Sequence, residues 1–295
     1  MAIDIEPKLL ETMAAAAIDA YDKAVGHVNE EIKARDPSNL TALIESLAPD
    51  GPYAYTIMPR VLPDGTISLP VLSTREEITE AYTFIRGLSD VHEVAGLTEI
   101  TGSWYLFQDS LTVGGPKDTD VRNDRHTLGI FPSGTEQGIT GELVWLRVPR
   151  SQLGFADDVE VVADDDLHAR RLVLERYWQY VEGLRSNDVD AVLDPLHDGV
   201  ASAIRDYVGA TGTLIELTGK DAHRDWYTQL LDKYEVRSVR SIQLVTTEWY
   251  VFSELRIHVE QRDNAASFAF NTAEFHVTAK DGRFIARIGH GTEPA

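Results

Sequence analysis

Residues 121–131 read VRNDRHTLGIF, and strand alternation puts Arg122, Asp124, His126, Leu128 and Ile130 on one face. That face begins charged and ends aliphatic, as a strand does when it runs from a pocket mouth into a core. Asp124 and His126 would stand about 6–7 Å apart along the strand, within reach of one bound molecule. A carboxylate beside an imidazole favours its charged form, which serves general acid or base chemistry near neutral pH. Arg122 would stabilise an enolate or phenolate that develops during proton transfer, and Leu128 would touch the apolar part of the ligand. The plainer reading of the row is a solvated edge strand, and both readings stay open.

Other residues are weaker candidates. Tyr53 and Tyr55 share a face of the strand-like run YAYTIM, where Tyr55 would polarise a carbonyl and Tyr53 would line the ligand; core packing is the alternative. Tyr21, on a helical stretch, is a candidate donor into the same cavity. Trp104 and Tyr105, in SWYLF, have the composition of a ligand-stacking pair. The G-x-S-x-G, P-loop, G-x-G-x-x-G and H-E-x-x-H patterns are absent. GGPK at 114–117 reads as a turn. No two histidines have metal-ligand spacing on a plausible helix face, so neither a metal nor another cofactor is expected.

These residues sit in a chain that repeats itself. A shift of 145 residues aligns 72–107 with 217–252 without a gap, pairing Tyr82 with Tyr227, Trp104 with Trp249, Tyr105 with Tyr250 and Phe107 with Phe252. Beside its twin EWYVF, the SWYLF run marks architecture more than chemistry. AYDKAV (20–25) matches RYWQYV (176–181), so Tyr21 corresponds to Tyr177, and Arg147 falls opposite Arg287. Alignment on Gly134 and Gly282 sets Glu274 opposite His126, on a face that ends in the acid-base pair Glu274 and His276. Ser73 with Glu76, and Thr218 with Asp221, have the spacing of helix capping boxes. Between the copies, the acidic cluster 164–166 lacks the glycine and final glutamate of a calcium loop and reads as linker plus helix N-cap. Two domains are expected, 1–155 and 156–295, with the first as the catalytic half.

Within each copy the periodicity predicts helix, helix, strand, capped helix, then about four alternating runs, with a hairpin at Pro63-Asp64-Gly65 in the first. Helices grouped before a mostly antiparallel sheet make an α+β layer. The order, together with the helical tyrosines Tyr21 and Tyr177, the two tryptophan strands and the terminal DGRFIARI, resembles the nuclear transport factor 2-like superfamily, in particular its SnoaL-like branch. The resemblance implies two cystatin-like α+β cones in tandem, each a curved sheet wrapped around a long helix. It also implies a small-molecule pocket in each and an intramolecular pseudo-dimer, with further self-association open. It places Asp206 on the strand that carries the base in ketosteroid isomerases. Its members include ketosteroid isomerases, scytalone dehydratase, limonene epoxide hydrolases, polyketide cyclases, lyases of lignin-derived aromatics and many non-catalytic proteins, so the fold names a pocket and not a reaction.

Composition narrows the partners. A formal charge of −21 opposes phosphate backbones and anionic lipid, so neither nucleic acid nor membrane is expected as a partner. The start MAIDIEPKLL has no basic or apolar leader region, and a cytoplasmic protein is the expectation. There is no cysteine, which removes disulfides and thiolate chemistry together. The expected function is a cofactor-independent acid-base enzyme, foremost a lyase (dehydratase or retro-aldol-type cleavage), acting on a small, largely apolar, aromatic or polyketide-like molecule. An isomerase, cyclase or epoxide hydrolase of the same fold is the alternative, and a non-catalytic binding or assembly protein the other class.

Overall fold

The structure, a computed structural model, describes residues 7–34, 40–57, 59–61, 67–134, 136–147, 166–206, 208–209 and 212–294. The hairpin turn at 63–65 and the interdomain stretch 148–165 lie outside the described residues. The chain divides into two compact units, Met1–Met58 with Leu72–Arg147, and Pro59–Val71 with Val148–Ala295. Residues 59–71, from the first sequence copy, thus go with the second unit. There Ser68 Oγ and the Leu69 amide both donate to Glu216 Oε1, at 2.6 and 3.1 Å.

The first unit begins with α1 (Pro7–Lys33) and α2 (Thr41–Glu45), continues through β1 (Ala54–Thr56), and leaves β2 (Arg60–Val61) and β3 (Ile67–Ser68) as a two-stranded hairpin. It resumes with β4 (Val71–Leu72), α3 (Arg75–Leu88), β5 (Ser89–Thr101), β6 (Tyr105–Pro116), β7 (Asn123–Pro132) and β8 (Gly141–Leu146). The second unit runs α4 (Leu167–Ser186), α5 (Val189–Leu193), β9 (Leu196–Asp206), β10 (Thr213–Thr218), α6 (Gly219–Lys233), β11 (Tyr234–Thr246), β12 (Tyr250–Gln261), β13 (Ser267–Thr278) and β14 (Phe284–Gly291). Strand order is β4-β1-β8-β7-β6-β5 in one sheet and β10-β9-β14-β13-β12-β11 in the other, with β1/β8 and β9/β14 parallel. Each unit is therefore an α+β cone, the fold that the sequence resemblance implied, and the two follow one another along the chain. GGPK is corrected: Gly114 to Pro116 finish β6, and the turn starts at Lys117.

The sheets curl for a local reason. β5 against β6 slips register between Val91 and Glu93 and again between Gly96 and Thr98; β11 against β12 slips between Val236 and Ser238 and between Ser241 and Gln243. Each pair of bulges is separated by the same 145 residues as the sequence repeat. Bulges raise twist and bend the strand, so both sheets fold over their helices at matching places.

Helix starts follow their caps. The capping box of α3 is Thr74 with Glu77, one residue later than the sequence spacing indicated: Thr74 Oγ1 accepts from the Glu77 amide at 3.2 Å and Glu77 Oε2 accepts from the Thr74 amide at 2.9 Å. Thr218 is the N-cap of α6 but its side chain makes no capping bond. Asp166 does cap α4, accepting from the amides of His168 and Ala169. Among the described residues no helix is long and apolar enough to cross a membrane.

Candidate functional site

Unit 1 encloses a cavity of about 420 Å³. Alternation along β7 decides what enters it: Asn123, Arg125, Thr127, Gly129 and Phe131 line the wall, so the intervening residues point to the outer face. The sequence assignment of Arg122, Asp124 and His126 to the pocket is therefore corrected, and Leu128 and Ile130 go with them. Arg122 and Asp124 are exposed; His126 is half-buried, with Nδ1 at 3.7 Å from Asp109 Oδ1 on the outer face of β6. The charged-to-aliphatic gradient was real but misleading. Strand β7 starts in solvent, so both of its faces begin polar and end buried.

The mouth lies at exposed Asn123 and Arg125, and the closed end at Phe131, Tyr55 and Glu142, all buried. Apolar walls come from Ile78, Ala81 and Ile85 of α3 and from Val28 of α1. At the closed end the polar groups meet. Glu142, second residue of β8, sits in register with Tyr55 of parallel β1. Its Oε2 accepts a hydrogen bond from the Tyr82 hydroxyl on α3 and lies 3.3 Å from His27 Nε2 on α1. Ser46 donates its hydroxyl to Leu43 O at 2.6 Å, so its oxygen accepts from His27 Nδ1–H, also at 2.6 Å. That fixes the proton on Nδ1 and leaves Nε2 facing the cavity cluster, 3.3 Å from the Tyr55 hydroxyl. One turn further along both helices, Arg86 Nη2 donates to Glu31 Oε1 at 2.6 Å.

The electrostatics follow from burial. Tyr55 and Tyr82 are pushed well above the ordinary phenol value, first by desolvation and then by the Glu142 charge, so both remain neutral donors. Glu31 is raised by burial and by Glu142, against the pull of Arg86 and His27.

The remaining candidates have other duties. Tyr53 donates to Ala48 O at 2.7 Å and accepts from Arg75 Nη2 at 3.1 Å, tying the chain before β1 to α3 and staying out of the cavity lining. Tyr21 donates to Glu99 Oε2 at 3.4 Å and does not line the cavity either. Trp104 and Tyr105 pack edge-on at 4.8 Å, as Trp249 and Tyr250 do at 4.9 Å, and neither ring of the first pair reaches the cavity. Asp206 Oδ1 accepts from the amides of Val208 and Gly209, closing the turn after β9.

Glu274 and His276 are brought together, but inside the packed core of unit 2. Glu274 Oε2 accepts from Arg287 Nε and Nη2 at 2.8 and 2.6 Å, and Oε1 lies 3.2 Å from His276 Nε2. Burial raises the Glu274 carboxyl, yet the Arg287 charge and the His276 hydrogen bond outweigh it and hold the group at about 2. Desolvation lowers His276, so it is neutral and donates through Nε2. Arg287 Nη1 also donates to Tyr227 at 2.6 Å, and Tyr177 is buried edge-on to His276.

Strand register corrects the match between copies. Leu106 pairs with Phe131 as Val251 pairs with His276, so Phe131 stands where unit 2 has His276 and Gly129 where it has Glu274. Glu142, opposite Tyr55, occupies the place of Arg287, opposite Ser202. Arg147 was the wrong match. Tyr82 and its twin Tyr227 thus hold oppositely charged partners, Glu142 and Arg287. Glycine at 129 leaves the cavity wall of unit 1 without a side chain at the position where unit 2 carries the buried Glu274. Sequence reasoning did not assign His27, Glu31, Tyr82, Arg86 or Glu142 to the site; four of them form polar i,i+4 pairs on helices, His27/Glu31 and Tyr82/Arg86, and Tyr82 also stood in the repeat.

No protein-family profile matches the sequence. No curated protein matches it either. Among solved structures, a ketosteroid isomerase-like protein from Erwinia carotovora atroseptica is 12% identical over 43% of this chain and 99% of its own, with a TM-score of 0.35. An LEH-like epoxide hydrolase of Mycobacterium tuberculosis is 13% identical over 41% of this chain and 84% of its own, TM-score 0.34. A second M. tuberculosis protein, solved with estradiol-17beta-hemisuccinate, is 14% identical over 40% and 92%, TM-score 0.34. Each match spans about the length of one unit, and these likenesses say nothing of the reaction.

Proposed function

We propose that unit 1 is the catalytic half of a cofactor-independent acid-base enzyme, with Glu142 as the base, acting on a small, largely apolar molecule held in the cavity. The observation that carries the reading is the contiguous chain Glu142 Oε2, His27 Nε2 and Tyr55 hydroxyl, at successive 3.3 Å distances, at the closed end of an apolar cavity. A carboxylate there, held by Tyr82, can take a proton from a carbon activated by a neighbouring carbonyl. Tyr55, kept neutral by its surroundings, donates to the oxygen that gains charge. The proton can then pass from Glu142 through His27 to Tyr55 and leave on a departing hydroxyl as water. The C–H and C–O bonds break, a C=C bond forms, and no net proton is consumed. This favours elimination, the lyase outcome; return of the proton to another carbon would be isomerisation.

The test is dehydration of a panel of β-hydroxy ketones of one to three rings, followed by the absorbance of the conjugated product. E142Q should slow the reaction by about 10²–10⁴-fold while Y55F slows it less, in line with loss of a positioned base against loss of one donor. Elimination no faster than in buffer across the panel, or undiminished in E142Q, overturns the proposal.

A further inference from the structure

The second polar rung of the cavity does nothing in that scheme. Arg86 is 1% exposed, lines the cavity, and uses its Nη2 toward Glu31 Oε1; its Nε is enclosed and donates to nothing among the described residues. A buried guanidinium with idle donors is costly unless something else accepts from them. The geometry specifies what. His27 and Glu31 are one turn apart on α1, as Tyr82 and Arg86 are on α3, and the contacts His27–Tyr82 and Glu31–Arg86 bring the turns level. Because α3 runs toward the mouth at Leu88 and Ser89, Arg86 stands outside Glu142 by one turn, about 5.4 Å.

We propose that the substrate is a small apolar carboxylic acid, its carboxylate on Arg86 and its reacting carbon one helical turn deeper, against Glu142. This rests on the cavity assigned above and adds the class of molecule. The spacing corresponds to roughly four carbon-carbon bonds between the carboxylate and the carbon that loses its proton. A guanidinium matches a carboxylate in plane and charge. Glu31 is then a competitor for Arg86 that the ligand displaces, and its raised pKa makes the exchange easier, since a protonated Glu31 releases the cation. The ionisable groups around Glu31 are His27 on its own helix, Arg86 and Tyr82 on α3, Tyr55 on β1 and Glu142 on β8. Asp90, also on the wall, is paired with Lys117 at 3.3 Å.

Calorimetric titration with phenylbutanoate and its neutral amide tests this. The acid should bind at least 10-fold tighter than the amide. R86M should erase that preference, and R86K should keep part of it. E31Q should bind the acid tighter than the native chain above pH 7, a gain that mere damage to the fold would not produce. Equal binding of acid and amide, retained preference in R86M, or weakened acid binding in E31Q overturns the inference, as does failure of both probes to bind. E142Q separates the two readings. If it stops elimination while the native chain shows no acid preference, only the substrate class fails; if the preference stands and E142Q still eliminates, only the base assignment fails.

Discussion

Replacing Arg287 by methionine should destabilise unit 2 by about 3–5 kcal/mol, because it strands the Glu274 carboxylate in the core. The magnitude can be approached from the proton side. The fold holds Glu274 at about 2 against an ordinary 4.5, which corresponds to about 3 kcal/mol of stability at neutral pH. Since a lowered pKa means that the fold favours the ionised form, this stability is complete above about pH 4.5 and drains away as pH falls toward 2. In R287M the two guanidinium hydrogen bonds to Oε2 are gone, and Tyr227 keeps only its bond to Tyr180. The double variant E274M/R287M removes both charges and should recover most of the loss, as buried pairs replaced by apolar side chains often do. Hydrogen exchange of the β13 and β14 amides by mass spectrometry reads unit 2 selectively. A loss under about 1 kcal/mol in R287M, or a double variant as damaged as the single one, would refute the reasoning.

Two more expectations concern the frame around the sites. T74A removes half of the α3 capping box and should cost about 0.5–2 kcal/mol, visible as faster exchange in the first turn of α3 with no change at α4. His223 is buried, donates through Nδ1 to Gly219 O and accepts from Ser202, and desolvation lowers it to about 4. Its contribution is therefore present above about pH 6.5 and lost as pH falls through 4, so H223Q should flatten the decline in thermal stability between pH 6.5 and 4; an unchanged slope would count against it.

The architecture was legible because duplication turns a single sequence into an alignment of two. Bulges and tryptophan strands recur 145 residues apart, the starts of α3 and α6 recur 144 apart, and such packing features are encoded locally. The site was less legible. Tyr55 was a candidate from the sequence and lines the cavity, and Tyr82 was visible as a repeated residue, yet its partner Glu142 depends on which residue of β8 lies opposite β1, which alternation alone does not fix. The same one-residue ambiguity sent Arg122, Asp124 and His126 to the wrong side of β7. His27 looked like any core histidine, and only its three-dimensional partners distinguish it.

The paired bulges have a practical meaning. Since the bend of each sheet is set at Val91–Glu93 and Gly96–Thr98, and again at their counterparts, neither bend is set by the residues that distinguish the two interiors. Shape and contents are separately specified in this chain. A laboratory can therefore treat the two units as one mould with two different fills. Trading core positions such as 274, 276 and 287 for their unit 1 equivalents would ask whether unit 2 can take on the interior of unit 1 without reshaping the sheet.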